Sequence, residues 1–240
     1  MPNPTAAMLV IGDEILSGRT RDSNMHHLAK ALTEHGIDLK EARVVSDHAA
    51  SIVAAVKALS AAHDHVFTSG GIGPTHDDIT ADCIAEAFGA HIDVREDARA
   101  LLAAHYQRTG MEMNAARLRM ARIPDGATLI DNPVSTAPGF TIGNVHVMAG
   151  VPAVFEAMVA SVLPTLTGGA PLISETLRVD RPEGEIAGPL GDVAGRYADL
   201  SIGCYPFIRD GRPGANVVIR GTEGDRVKAA LNDLVTAFAP

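Results

Sequence analysis

Tryptophan is absent from the 240 residues, and aromatic residues make up only 4% of the chain. Single-stranded nucleic acid is held largely by stacking on aromatic rings, so a chain this poor in them offers few platforms. Positive charge is scarce as well: 20 Lys and Arg stand against 29 Asp and Glu, a formal charge of −9. No overall positive field is available to hold DNA, RNA or an anionic membrane. The expected partner is therefore a small molecule, with no nucleic acid and no membrane. Cysteine occurs twice, at Cys83 and Cys204, and neither has a companion at metal-ligand spacing. A reducing, cytoplasmic setting without structural zinc is expected. No run approaches the roughly 18 continuous apolar residues of a membrane span, and the start "MPNPTAAMLVIGDEIL" has no basic leader.

Apolar residues are plentiful, at 46%, enough for a sizeable core. "AAMLVIG" (6–12) reads as a buried strand. A helix over 22–35 follows, with Leu28, Ala31 and Leu32 at helical spacing, Asp22 or Ser23 as cap and Gly36 as the stop. Residues 37–46 are extended, 49–62 helical, and "HVFTSGG" is a third strand. Then Ile79, Cys83, Ile84 and Phe88 share one face of a helix closed by Gly89. This alternation predicts an α/β fold with a mostly parallel sheet covered on both faces. Residues 95–122 read as helical with a break near Gly110. Two short strands pair through Gly143-Asn144, a hairpin signal, and a helix beginning near Pro152 closes the domain. Gly and Pro cluster at "TGGAP", which sets domains at 1–167 and 171–240, the second a small α+β appendage.

Ligands of parallel α/β sheets gather at the C-terminal ends of the strands. Two loops leave such ends: "VIGDEILSG" and "TSGGIGPTHDDIT". In the second, Gly70, Gly71 and Gly73 let backbone N–H groups turn toward an anion, and the helix N-terminus that follows adds to their field. Asp77 and Asp78 come directly afterwards and repel a bare phosphate unless a divalent cation bridges them to it. The residues alone leave a second reading open: an ordinary turn with Asp77, Asp78 or Thr80 capping the helix. His76 is a ligand, a base or a solvated loop residue, and Asp13 and Glu14 are ligands or a solvated turn. Neither loop is a Walker A or dinucleotide fingerprint, and no G-x-S-x-G elbow occurs. Arg117, Arg119 and Arg122 concentrate positive charge without sharing one helical face: one or two of them could reach a diphosphate, or they form a solvated surface.

Taken together and in order, "IGDEILSGRTRDSN", "TSGGIGPTHDDIT", "RMARIPDGATLIDNP", "APGF" and "GVP" resemble the molybdopterin-binding (MoaB/Mog-like) domain family. The resemblance is to the branch of the N-terminal domains of competence/damage-inducible protein A and eukaryotic FAD synthase. The later "SIGCYPF" is similar to the small appended domain of that branch. The resemblance implies a three-layer α/β/α fold and a pocket at the C-terminal edge of the sheet. By position it makes Asp78 the functional aspartate, with Asp77 beside it, Asp13 and Glu14 the first acidic pair, and Asn24 the asparagine of the family's "dtN" motif. Arg119-Met120-Ala121 stands where relatives carry Lys-Gln-Ala, Ser135 replaces a glycine, and Ala149 and Val154 alter a "PGVPxE" motif.

The expectation that follows is metal-dependent cleavage of a nucleotide pyrophosphate such as ADP-ribose or FAD. Asp77 and Asp78, with Asp13 or Glu14, would hold Mg, Mn or Co. Gly70, Gly71, Gly73, Thr75 and Asn24 would bind the nucleotide or its phosphate, and Arg119 would meet developing charge. Molybdopterin binding or adenylylation, and a non-catalytic nucleotide- or pterin-binding module, are the alternatives. A homo-oligomer is implied by the resemblance.

Overall fold

The first apolar run becomes strand β1 (Thr5–Ile11), with six of its seven residues buried. The short helical turn α1 (Asp13–Leu16) follows, and then α2 (Asn24–His35), ended by Gly36 in the left-handed region. Strand β2 (Asp38–Val45), helix α3 (Ala49–Ala62) and strand β3 (His65–Ser69) complete the first alternation. After the glycine-rich loop come α4 (Thr80–Phe88), β4 (Ile92–Val94), α5 (Glu96–Thr109) and the single turn α6 (Ala115–Leu118). Short strands β5 (Arg122–Pro124), β6 (Thr128–Ile130), β7 (Gly139–Ile142) and β8 (Val145–Met148) lead into α7 (Pro152–Val162). The computed structural model describes residues 2–239 and divides into two units between Gly169 and Ala170.

In the first unit six strands form one sheet in the order β2-β1-β3-β8-β7-β6. β2, β1, β3 and β8 run parallel, and β7 pairs antiparallel with both β8 and β6. Because side chains alternate along a strand, Leu9 and Val66 pack on one face with α3, α4 and α5. Met8 and Phe67 point the other way, into the cluster of Leu28, Leu32, Phe155 and Met158 from α2 and α7. The three-layer arrangement follows from that alternation.

One stretch departs from expectation. The helical reading of 95–122 with its break near Gly110 holds for α5, α6 and the short 3-10 turn Arg119–Ala121, but not for the whole stretch. Residues 111–114 are irregular, and Arg122 begins β5, which pairs antiparallel with β4. Pro124 accounts for part of this, since the residue before a proline is pushed out of the helical region. The second unit is a three-stranded antiparallel sheet, ordered β10-β11-β9, from β9 (Ile173–Val179), β10 (Ser201–Arg209) and β11 (Arg212–Gly221). Helices α8 (Glu183–Arg196) and α9 (Gly224–Ala237) contribute Ile186, Val193, Ala230 and Leu234 to its own core. Among the described residues no helix is long and apolar enough to cross a membrane.

On the α2/α7 face His146 is nearly inaccessible, held between the Thr141 hydroxyl at 3.0 Å and the His65 ring at 3.3 Å. Burial, with the neighbouring His65 second, pushes its pKa down from 6.5 to about 4. The folded imidazole stays neutral while the unfolded chain takes up a proton near pH 6.5. Its contribution is therefore full above that pH and is lost as the pH falls to about 4, amounting to about 3 kcal/mol. Urea unfolding at intervals from pH 7 to 4 should show this loss, and His146→Gln should flatten it; an equal slope in both proteins contradicts the assignment.

Candidate functional site

The C-terminal ends of β1, β2, β3 and β8 lie along one edge of the sheet, and the loops leaving them enclose a cleft of about 720 Å³. The loop after β3 sets its floor. Gly70 has φ 110° and lies so close to β1 that a Cβ would overlap the Ile11 carbonyl oxygen. Gly71, at φ 69°, packs equally tightly on the Thr80 hydroxyl. Only glycine allows this backbone to pass between the strand end and the helix. The Gly70 N–H is used within the fold, donating to Met148 O at 3.1 Å. Those of Gly71, Ile72 and Gly73 donate to no other group among the described residues. The loop's free backbone donors are thus those of Gly71 to Gly73, with Gly70 a structural member.

Asp78 does not cap α4. The helix starts at Thr80 with Ile79 at the N-cap position and no side-chain cap bond. The Asp78 carboxylate instead folds back on its own loop, accepting from the Thr75 N–H at 2.8 Å and the Thr75 hydroxyl at 2.5 Å. Thr75 is therefore a clasp. Asp77 is exposed, and its carboxyl is held below the ordinary range first by the same Thr75 hydroxyl and then by its own backbone N–H. One hydroxyl proton cannot serve both carboxylates, and the shorter contact gives it to Asp78. His76 is exposed and stands 3.8 Å from Asp77.

The opposite wall comes from β1 and β2. Glu14 lines the cleft, whereas Asp13 does not reach its lining. The Asp13 N–H donates to the Asp47 carboxylate at 2.9 Å, so Asp47 caps α1 from the end of β2. Asp47 also faces the cleft. Sequence reading missed it, although "VVSD" ends a parallel strand in the same way that "VIGDE" does. A further wall is the proline-rich loop, where Asn132 binds both Ser135 and Ala137 and presents Ser135 and Pro138 to the cleft.

Asn24 lies beside the cleft, 4% exposed, at the start of α2. Its Nδ2 donates to Ser69 Oγ and Gly150 O, each at 2.8 Å, and so ties the loops after β3 and β8 together. Arg119 stands behind the glycine loop, where its Nη2 donates to Asp78 O at 3.3 Å. Four carboxylates, Glu14, Asp47, Asp77 and Asp78, line the main cleft together with apolar Ile11, Ile72 and Val151. No Lys, Arg or His joins them among the described residues. Among the described residues no three acidic, His or Cys side chains converge as a preformed metal cage.

Residues 7–168 match the family described as "Probable molybdopterin binding domain". The chain belongs to this family. Beyond its molybdopterin-binding-family domain, residues 171–240 match "FAD synthase, middle domain". A "Probable FAD synthase" of Caenorhabditis elegans is 32% identical over 256 residues, covering 96% of this chain and 49% of its own length. A "CinA-like protein" of Citrifermentans bemidjiense is 40% identical over 167 residues, covering 68% of this chain and 40% of its own. The chain thus spans about half or less of these two curated relatives. The crystal structure of the protein CinA, described as of unknown function, from Thermoplasma acidophilum superposes with a TM-score of 0.62 at 34% identity, over 67% of this chain and 98% of that one. The branch expected from the motifs is the one these relatives occupy.

The close approach of Gly70 to β1 is testable in the molybdopterin-binding-family domain alone. Gly70→Ala should lower stability by about 2 kcal/mol or more, read as a lower urea midpoint at an unchanged slope. An unshifted midpoint contradicts the approach.

Proposed function

We propose that the cleft binds a phosphate-bearing nucleotide or pterin together with a divalent cation, and that it supports cleavage of a nucleotide pyrophosphate of the ADP-ribose or FAD type. The observation that carries the reading is the charge of the cleft: four carboxylates, three free backbone N–H groups and no basic side chain. Like charges about 4 Å apart near a protein surface repel by about 4 kcal/mol. A helix terminus returns only about 0.3–1 kcal/mol. A bare diphosphate therefore loses, and a cation must accompany it.

The donors present fit such an ion in kind, because carboxylate oxygens suit Mg and Mn. Without a three-ligand cage, they fit an ion held by one or two carboxylates and completed by ligand phosphate and water, as Mg commonly is. Glu14, Asp47, Asp77 and Asp78, which line the cleft, would share it, whereas Asp13 is outside the lining and meets Asp47 only through its N–H. When bound, Mg, Mn or Co supplies charge neutralisation and a more acidic water.

The chain's own groups do the rest. Gly71, Ile72 and Gly73 donate to phosphate oxygens, and they gain in strength as charge collects there. Thr75 fixes the Asp78 carboxylate, and apolar Ile11, Ile72 and Val151 flank the base or ring system. Water oxygen forms a bond to one phosphorus and the bridging P–O bond breaks. The electron pair leaves with the departing monophosphate, and the water proton passes to a cleft carboxylate. A second reading is favoured by the family match over residues 7–168: the same pocket takes molybdopterin, with or without adenylylation by ATP.

Thermal shift with ADP-ribose, FAD, AMP and molybdopterin, each with and without Mn, decides the ligand class. Stabilisation by ADP-ribose or FAD only when Mn is present, followed by release of AMP, is the expected result. Asp77→Asn with Asp78→Asn should lower that turnover at least a hundredfold. If ADP-ribose and FAD survive Co, Mn and Mg for hours while a control pyrophosphatase turns over, the hydrolase reading is wrong. Adenylylation of molybdopterin would then move the assignment to the pterin.

A further inference from the structure

Arg119 presents a problem of pairing. It lies in the short 3-10 turn Arg119–Ala121, part-buried, and lines a small space of about 20 Å³ with Gly73, Asp78, Asp82 and Arg122 rather than the main cleft. Asp82, a carboxylate lining the same space, is already paired: its Oδ1 accepts from Arg122 Nη2 at 2.6 Å. Arg119 makes no ion pair among the described residues, and its buried Nε has no hydrogen-bond partner. Its one bond is from Nη2 to the main-chain carbonyl of Asp78. On the other side of that residue, Thr75 grips the Asp78 carboxylate through its N–H and hydroxyl.

We propose that Arg119 is a positioning residue, which acts through the Asp78 backbone to fix the glycine-rich loop and touches no ligand itself. Asp78 is clamped at two points, the carbonyl from behind and the carboxylate from within the loop. The spacing of the clamps sets where Gly71 to Gly73 point their N–H groups. The guanidinium, always charged and unpaired, also leaves a positive charge behind a cleft whose own lining is acidic. That bias favours the anionic part of a ligand at the loop and leaves the cation to the carboxylates. The proposal rests on the site described under the proposed function for its ligand, but the clamp itself is a property of the free chain.

Arg119→Lys keeps a charged donor and Arg119→Gln keeps a donor without the charge. Amide hydrogen exchange across residues 70–79 of the full chain reads the clamp directly. In Arg119→Gln the exchange rate of this loop should rise about tenfold, with β1, β3 and α4 unchanged, and in Arg119→Lys it should stay within about twofold of the parent. Binding of ADP-ribose with Mn should weaken about tenfold in Arg119→Gln and recover in Arg119→Lys. Unchanged loop exchange in Arg119→Gln overturns the proposal, and so does faster exchange spread evenly over the domain. Weaker binding at unchanged loop exchange also overturns it, because that marks direct contact with the ligand. If the parent binds no ADP-ribose, the exchange measurement still decides the clamp, and only the functional reading falls.

Discussion

Charge balance at the C-terminal edge of the sheet governs this molecule. The chain brings Glu14, Asp47, Asp77 and Asp78 to one cleft, gives it no basic lining, and offers three unspent backbone N–H groups on its floor. Carboxylates crowded in this way repel one another and any anion, so the arrangement is stable only where water or cations screen them. An open cleft of about 720 Å³ permits that screening. The glycine loop supplies the opposite polarity, and a charged ligand must satisfy both.

The fold can hold such a site because its framework is satisfied elsewhere. Both faces of the parallel sheet are filled with closely packed apolar side chains, and the strands end in step at the same edge. Among the described residues the buried side-chain polar atoms without partners are Asn24 Oδ1, Thr68 Oγ1, Thr80 Oγ1 and Arg119 Nε. Thr68 lies in β3, Thr80 opens α4, Asn24 bonds Ser69 at the end of β3 and Arg119 bonds Asp78, so all four flank the glycine-rich loop. Each such group costs about 1–3 kcal/mol, and the unsatisfied groups surround the loop rather than lie in it. Strain and unspent donors gather where a ligand would repay them, which is the usual location of such features.

Much of this was legible in the sequence, and the reasons are local. Helix α3 has the bounds its periodicity predicted, and the hairpin turns at Gly143-Asn144, because apolar spacing and turn chemistry act within a few residues. The family and its branch were legible from five short motifs that only together are specific. What escaped depends on partners far away in the chain. β4 is three residues long and exists because β5 pairs with it; nothing in "IDV" announces that. Asp47 looks like a loop residue until β2 places it beside Asp13. The role of Asp78 was half visible: the loop marked it as important, but its grip on Thr75 and the distant Arg119 behind it are tertiary facts.

If the cleft excludes a bare anion and admits one with its cation, the two must bind cooperatively, and linkage makes the effect reciprocal. The most direct measurement is the affinity of the full chain for Mn, by titration calorimetry or electron paramagnetic resonance, with and without saturating ADP-ribose. Mn should bind at least tenfold tighter when the nucleotide is present, with an equal gain in nucleotide affinity from Mn. Equal Mn affinity in the two titrations, with ADP-ribose bound just as well in a chelator, would contradict it.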